Sequence, residues 1–328
     1  MILQQDGLTN IGDGNLPGGL DCTNCSDVVV NDCSFTKMGG SGVTFGGVAK
    51  RINMTMLDIS DVSGNGIMVG DHGNDTAEFQ SVQNVVSDCV VRFAAREFTG
   101  CVGVYAGYNL GLLLTHNTVT DLSYGGFSIG AGAARPGYAR DNVLSFNRVE
   151  RWMGKMQDSA AIYVTGRQPG SVMKGNFLSG QGLSGLEPPP QCDDPAVGRR
   201  CTVAEVIAEE DVWIREVGAP YCAAHPGSCQ PYISSCNKTE EGWCNQTGNA
   251  HGGGIYGDNG SAGWHATENV MEGIYHWMFV WDGRPDKMVD MLFDANWVRL
   301  SIYFRRCVPP DYSATDLRLI WVYILAPG

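Results

Sequence analysis

THNTVTDLSYGGFSIG, residues 115–130, holds the repeat on which this chain is built. Asn117 follows a short alternating stretch. Thr-Val-Thr comes next, then a Gly-Gly corner, then the apolar positions Phe127 and Ile129 with a closing glycine. Apolar pairs followed by glycine also occur at Val43, Ile67, Val104, Ile162, Ile255 and Phe279. A second series of small residues opens short alternating stretches at Cys33, Cys89, Asn147, Asn176, Asn269 and Asn296. Short strands bounded by Gly, Asn, Asp and Ser, recurring about every 22–35 residues, are the mark of a solenoid. Leucine-rich repeats are disfavoured, because the LxxLxL spacing is missing. The expectation is an all-β fold: a right-handed parallel β-helix. Equivalent positions of successive coils then stack at about 4.8 Å. Asn117, Asn147, Asn176, Asn269 and Asn296 become a ladder of side-chain amides at one corner, with Cys33 and Cys89 taking the same place in earlier coils.

The composition agrees. Of 328 residues, 44 are glycine, and the glycines follow no three-residue period, which excludes collagen. The 43% hydrophobic content supports a sizeable core. A formal charge of −13 makes nucleic acid and anionic membranes poor partners. No apolar run approaches the roughly 20 residues of a membrane-spanning helix. The expected partner is a polysaccharide or glycan.

The repeat breaks once. Ile162 and Ile255 are too far apart for one coil, and residues 186–248 read as an insertion. It holds Cys192, Cys201, Cys222, Cys229, Cys236 and Cys244, and an amphipathic stretch over 203–217. So dense and even a cysteine cluster points to disulfides in an oxidising compartment, hence to a secreted protein. Cys22 and Cys25 form a CxxC with no second pair at zinc spacing, so a metal is the weaker reading. Sequons at Asn24, Asn53, Asn74, Asn237, Asn245 and Asn259 agree with secretion. The first residues carry no signal peptide, so the chain is expected to begin inside a longer protein. The division is therefore N-terminal coils over 1–185, the insertion over 186–248, further coils over 249–297, and an irregular cap or tail over 298–328.

Two stretches carry the candidate chemistry: QDSAAIYVTG with Asp158 and Tyr163, and HGGGIYGDNGS with His251, Tyr256 and Asp258. By the two-residue period of a strand, each isoleucine points inward and each tyrosine outward. Three positions beyond the apolar residues Phe127, Ile162, Ile255 and Phe279 lie Gly130, Thr165, Asp258 and Asp282. If Phe279 aligns with Ile255, Asp258 and Asp282 stack about 5 Å apart, the spacing of a retaining glycosidase pair, and one carboxyl is pushed to hold its proton. The plain reading is that each aspartate closes a turn before glycine. Tyr163, Tyr256, Trp264, Trp281, His251 and His276 add an aromatic surface suited to sugar rings; packing beneath the insertion is the plain reading of these.

The run from Thr115 to Gly180 resembles the right-handed β-helix proteins of the pectin-lyase-like superfamily. More narrowly it is similar to glycoside hydrolase family 141 and its relatives. A corner asparagine, a Tyr-Gly-Gly turn at Tyr124, an Asp-x-x-x-Ile-Tyr strand at Asp158 and an Ile-Tyr-x-Asp-x-Gly-Ser strand at Asp258 follow in that group's order. The likeness covers about 25–185 and 249–296. It implies a carbohydrate-active enzyme, xylanase- or fucosidase-like, with catalytic carboxylates at Asp158 and Asp258. The stacking argument adds Asp282. Ser159 and Ala160 replace two glycines of the group, which narrows the cleft. No cofactor is implied for hydrolysis. A polysaccharide lyase of the same fold would need Ca²⁺ and a basic residue such as Arg167 or Lys155. A non-catalytic surface protein is the remaining alternative, because fold alone does not decide activity.

Overall fold

The computed structural model describes residues 10–11, 14–70, 80–130, 139–156, 158–181, 236–238, 244–246, 252–272, 274, 278–281, 291–299, 317–319 and 322–324. These residues form a parallel β-helix with no helical segment among them. Each coil contributes a strand to three faces. The first face stacks Gly18–Thr23, Ser41–Gly46, Ile67–Val69, Val104–Ala106 and Phe127–Ile129. The long strands Ser159–Lys174 and Gly252–Thr267 follow, and each runs on around a corner into the second face. A nine-stranded sheet makes the third face. Strands of neighbouring coils pair parallel and in register: Val43 with Ile67, Ile67 with Val104, Val104 with Phe127, Phe127 with Ile162, and Ile162 with Ile255. That is the alignment the apolar pairs predict.

Period-two alternation sends one column of each face inward. Val43, Ile67, Val104, Phe127, Ile162 and Ile255 are all fully buried in a single core running up the stack. Met54, Val86, Leu114 and Leu144 come to it from the second face, and Ile59, Val91, Val119 and Val149 from the third. No coil buries its apolar side alone; the coils above and below close it.

The corners are built alike. Between the second and third faces, Asp32, Met56, Asp88, His116, Phe146, Glu268 and Ala295 take left-handed backbone conformations, with φ from 47° to 56°. A non-glycine residue there costs about 1–2 kcal/mol. The next residue repairs the corner. Asn117 Nδ2 donates to Asn147 Oδ1 at 3.0 Å, Asn147 to Asn176 at 3.0 Å, Asn176 to Asn269 at 2.8 Å, and Asn269 to Asn296 at 2.9 Å. Each amide also serves backbone of the flanking coils: Asn147 accepts from the Asn117 N–H and donates to the Leu114 carbonyl. Cys89 takes the same position, and its N–H donates to Asn117 Oδ1. A second set, Asn84 to Asn109 and Asn142 to Gln168, lies near the other end of the second face; the spacing of the first series had not revealed it.

Three expectations change. Ile255 pairs with Met278, not Phe279, so the neighbour of Asp258 is Trp281. The register on which a stacked Asp258–Asp282 pair was expected is therefore not the one observed, and Asp282 itself lies outside the described residues. Second, the region after Trp297 contains strands: Leu317–Leu319 pairs with residues 291–293, and Val322–Ile324 with residues 296–298. The short alternations Leu-Arg-Leu and Val-Tyr-Ile suffice for pairing without an Asn or Gly signal. Third, Trp264 is inside the core and belongs to no outer surface. Of residues 186–248, only the antiparallel pair Cys236–Lys238 and Cys244–Gln246 is described, so the amphipathic stretch over 203–217 and the cysteine pairing there lie outside the description.

Cys22 and Cys25 form a disulfide. Cys33 is exposed, whereas burial pushes the Cys89 thiol up to about 11. At pH 8, native protein treated with a thiol-reactive disulfide reagent should lose one labelled equivalent on Cys33→Ser and none on Cys89→Ser. Asn147→Ala strips partners from the Asn117 N–H, the Asn117 amide and the Leu114 carbonyl. Unpartnered buried groups cost about 1–3 kcal/mol each, and urea unfolding should show a loss of at least about 2 kcal/mol.

Candidate active site

The two long strands carry both predicted motifs side by side. Ser159–Lys174 and Gly252–Thr267 pair from Ser159 and Gly252 onward, with Tyr163 against Tyr256 and Thr165 against Asp258. Ile162 and Ile255 fill the core, so alternation turns the tyrosines to the other side of the sheet. There Tyr163, Tyr256 and Ala160 form a cluster of their own. The rings meet edge to face, with centroids 4.9 Å apart and planes at 89°. They are not an open sugar platform: Tyr163 is 3% exposed and Tyr256 2%. The Ala160 methyl occupies space that glycine would leave beside them.

The tyrosine hydroxyls cross between coils. Tyr163 donates to Asp258 Oδ2 at 2.6 Å, and Tyr256 donates to Asp158 Oδ1 at 3.3 Å. Each aspartate is thus held by the tyrosine of the other's coil. The first contact has the length of a hydroxyl bonded to a charged carboxylate, and the second is loose. The rings reach in opposite directions along the strands. Tyr256 points back toward Asp158, which precedes its strand, and Tyr163 points forward to Asp258, two residues beyond Tyr256. The tyrosine pair accordingly stands between the two carboxylates. Burial, with Asp258 and Asp158 nearby, raises the Tyr256 phenol far above the ordinary tyrosine value. It stays a neutral donor at any working pH.

Backbone contacts fix the aspartates. Asp158 has a left-handed φ of 69°, and its carbonyl accepts the Tyr124 hydroxyl from the preceding coil at 2.5 Å. Tyr124 is buried, so it pins Asp158 rather than presenting a ring to solvent. Ser261 Oγ lies 2.7 Å from the Asp258 carbonyl and 2.6 Å from that of Val164. Just past Asp258 the pairing shifts register twice, between Thr165 and Arg167 and again between Arg167 and Ser171. Such irregularities re-aim side chains and occur often beside active sites.

Of the other candidates, Trp264 is in the core, and Trp281 contributes a backbone position beside Asp258. His251, His276 and Asp282 lie outside the described residues. Ser261 was not singled out by sequence reading, and Thr165 entered only as a register position, with no role. That register holds: Thr165 stands three positions after Ile162, as Asp258 does after Ile255, and the two pair. A separate pair, His265 Nε2 and Asp294 Oδ1 at 2.7 Å, joins neighbouring coils in the second-face segments. Among the described residues no three His, Cys, Asp or Glu side chains are grouped to hold a metal ion.

No family model matches the chain, and no curated protein matches it. A solved structure titled "Glycoside hydrolase" is similar, with a TM-score of 0.57 and 18% identity over 84% of this chain. The likeness establishes a shared fold. The matched region spans 37% of that structure's length.

Removing the Tyr163 hydroxyl takes its short, charge-assisted bond away from Asp258. Tyr163→Phe should cost about 1.5–3 kcal/mol in denaturant unfolding, the usual worth of a hydrogen bond to a charged group. Tyr256→Phe, losing the looser contact, should cost less than about 1 kcal/mol.

Proposed function

We propose that this chain is a carbohydrate-active enzyme that hydrolyses a glycosidic bond with Asp158 and Asp258 as its two working carboxyl groups. One observation supports the reading: two aspartates of neighbouring coils are each bonded by the tyrosine of the other's coil, so both belong to one side-chain network across the paired strands. Glycoside hydrolysis needs two carboxyl groups in different states, one giving a proton to the leaving oxygen and one anionic. The asymmetric grip suits that division. Asp258, with the short bond from Tyr163, is the anion; Asp158, with the loose one, is the proton donor. The similar glycoside hydrolase fold agrees with this chemistry. The expected substrate is a cell-wall or matrix polysaccharide with xylose- or fucose-containing linkages. The Cys22–Cys25 disulfide favours work in an oxidising, extracellular setting.

Tyr124, Tyr163 and Tyr256 are buried and offer no flat faces to a sugar, so they lend no support to a binding-protein reading.

Secreted protein should be screened against aryl glycosides and plant and algal polysaccharides by reducing-sugar release. Asp158→Asn and Asp258→Asn should each lower kcat by about 10²–10⁴ while circular dichroism stays that of the wild type. A product absorbing near ~235 nm, the signature of the unsaturated sugar that β-elimination by a general base leaves, and requiring Ca²⁺, would replace hydrolysis with elimination. Unaltered rates in both variants would remove the aspartates from the mechanism.

A further inference from the structure

Asp158 takes a left-handed φ of 69° that the coil itself does not require. Left-handed residues of the regular corners recur from coil to coil, as at Asp88, His116 and Phe146. Asp158 belongs to no such series. Ile67, Phe127 and Ile162 share one column of the first face, and Asp158 lies four residues before Ile162. Ser63 and Ser123 hold the same place before Ile67 and Phe127, and neither is left-handed. A left-handed residue other than glycine persists only where its surroundings impose it, and such residues gather at active sites.

Tyr124 of the preceding coil imposes it. Its hydroxyl donates to the Asp158 carbonyl at 2.5 Å, and its own carbonyl accepts the Met153 N–H at 2.7 Å. One residue thus holds both ends of the segment 153–158. In between, the Gly154 N–H donates to the Leu122 carbonyl, and the Lys155 and Met156 N–H groups donate to that of Ser123. The Tyr124 ring is fixed in turn. It is buried with Met68, Val102 and Tyr105, and Met156 packs against that cluster. With its carbonyl held and Ser159 already in the strand, Asp158 has one direction for its Cα–Cβ bond. Asp158 is half-buried. Its Oδ1 takes the Tyr256 hydroxyl at 3.3 Å, and its Oδ2 has no partner among the described residues.

We propose that Tyr124 is a positioning residue: its hydroxyl holds the Asp158 backbone in a conformation the coil does not call for, and so aims the carboxyl that protonates the leaving oxygen. This rests on the glycosidase reading, with Asp158 as the proton donor. In the step, the glycosidic C–O bond breaks and its electron pair stays on the leaving oxygen, which takes the Asp158 proton. Water supplies the new bond to the anomeric carbon, and the proton it gives up restores the Asp158 carboxyl. The consequence is selective. A dinitrophenolate leaves without a proton, whereas the oxygen of an alcohol or a sugar does not. A misaimed acid therefore slows the second class and spares the first. Damage to the fold slows both.

The test measures kcat/KM on the dinitrophenyl and the alkyl glycoside of whichever sugar the wild type releases, with Tyr124→Phe assayed beside it. Tyr124→Phe should lower the value for the alkyl glycoside about 10–100-fold, the scale of a misplaced proton-transfer group. The dinitrophenyl value should stay within about twofold of wild type. Replacing Tyr124 by 4-aminophenylalanine, which keeps a donor at the same place, should restore most of the lost rate. Equal slowing of both glycosides by Tyr124→Phe overturns the proposal, as does an alkyl glycoside rate like that of the wild type. So does an amino variant that folds and is as slow as phenylalanine. A phenylalanine variant that does not fold makes the hydroxyl a support of the coil and overturns it as well. If the wild type hydrolyses no sugar, the glycosidase reading falls and this proposal with it; unselective slowing in an active enzyme removes the proposal alone.

Discussion

The corner between the second and third faces is the constraint on which the rest depends. A coil can close only if the chain turns sharply there, and the turn places one residue per coil in a left-handed conformation that side chains resist. The asparagine that follows offsets this by bonding both to the next asparagine and to backbone that the turn would leave unmet. Because each amide reaches one coil up and one down, the coils lock at a common register. Once that register holds, every inward column aligns, and so does every outward one. The core and the candidate site are both consequences of it.

Register also explains how much could be read in advance. The alignment of Val43, Ile67, Val104, Phe127, Ile162 and Ile255 was legible because each is apolar, inward and followed by a glycine. The asparagine ladder was legible because Asn is chosen there for its side chain. The residues before it were not: Met56, His116, Phe146 and Ala295 are poor advertisements for a left-handed backbone. The slip at Phe279 has a plain cause. Met278, Phe279 and Val280 are all apolar, so alternation does not say which points inward.

At the site, the two aspartates were legible from their motifs, but the roles of their neighbours were not. Pattern assigned Tyr163 and Tyr256 correctly to the side away from the core, yet it could not show that this side is buried. Burial changes what a tyrosine does. In the open it offers a ring to a sugar; enclosed, it offers one proton to a carboxylate. Trp264 misled for a related reason, since the register shift after Asp258 turns it inward where simple counting does not.

The ladder contains one long step. Asn147 and Asn176 are 29 residues apart, whereas Asn176 and Asn269, equally adjacent in space, are 93 apart. Closing a loop about three times longer costs on the order of 1 kcal/mol more in chain entropy. During synthesis the coils through Asn176 can stack as they emerge, each on a finished neighbour. The next coil must wait for the whole intervening stretch to be made. Both crossed tyrosine–aspartate contacts span that step, so neither exists until it is taken. Assembly of the site is therefore a late, separately timed event in the life of the chain, and a nascent chain released early would carry a nearly complete scaffold with only half of its carboxylates.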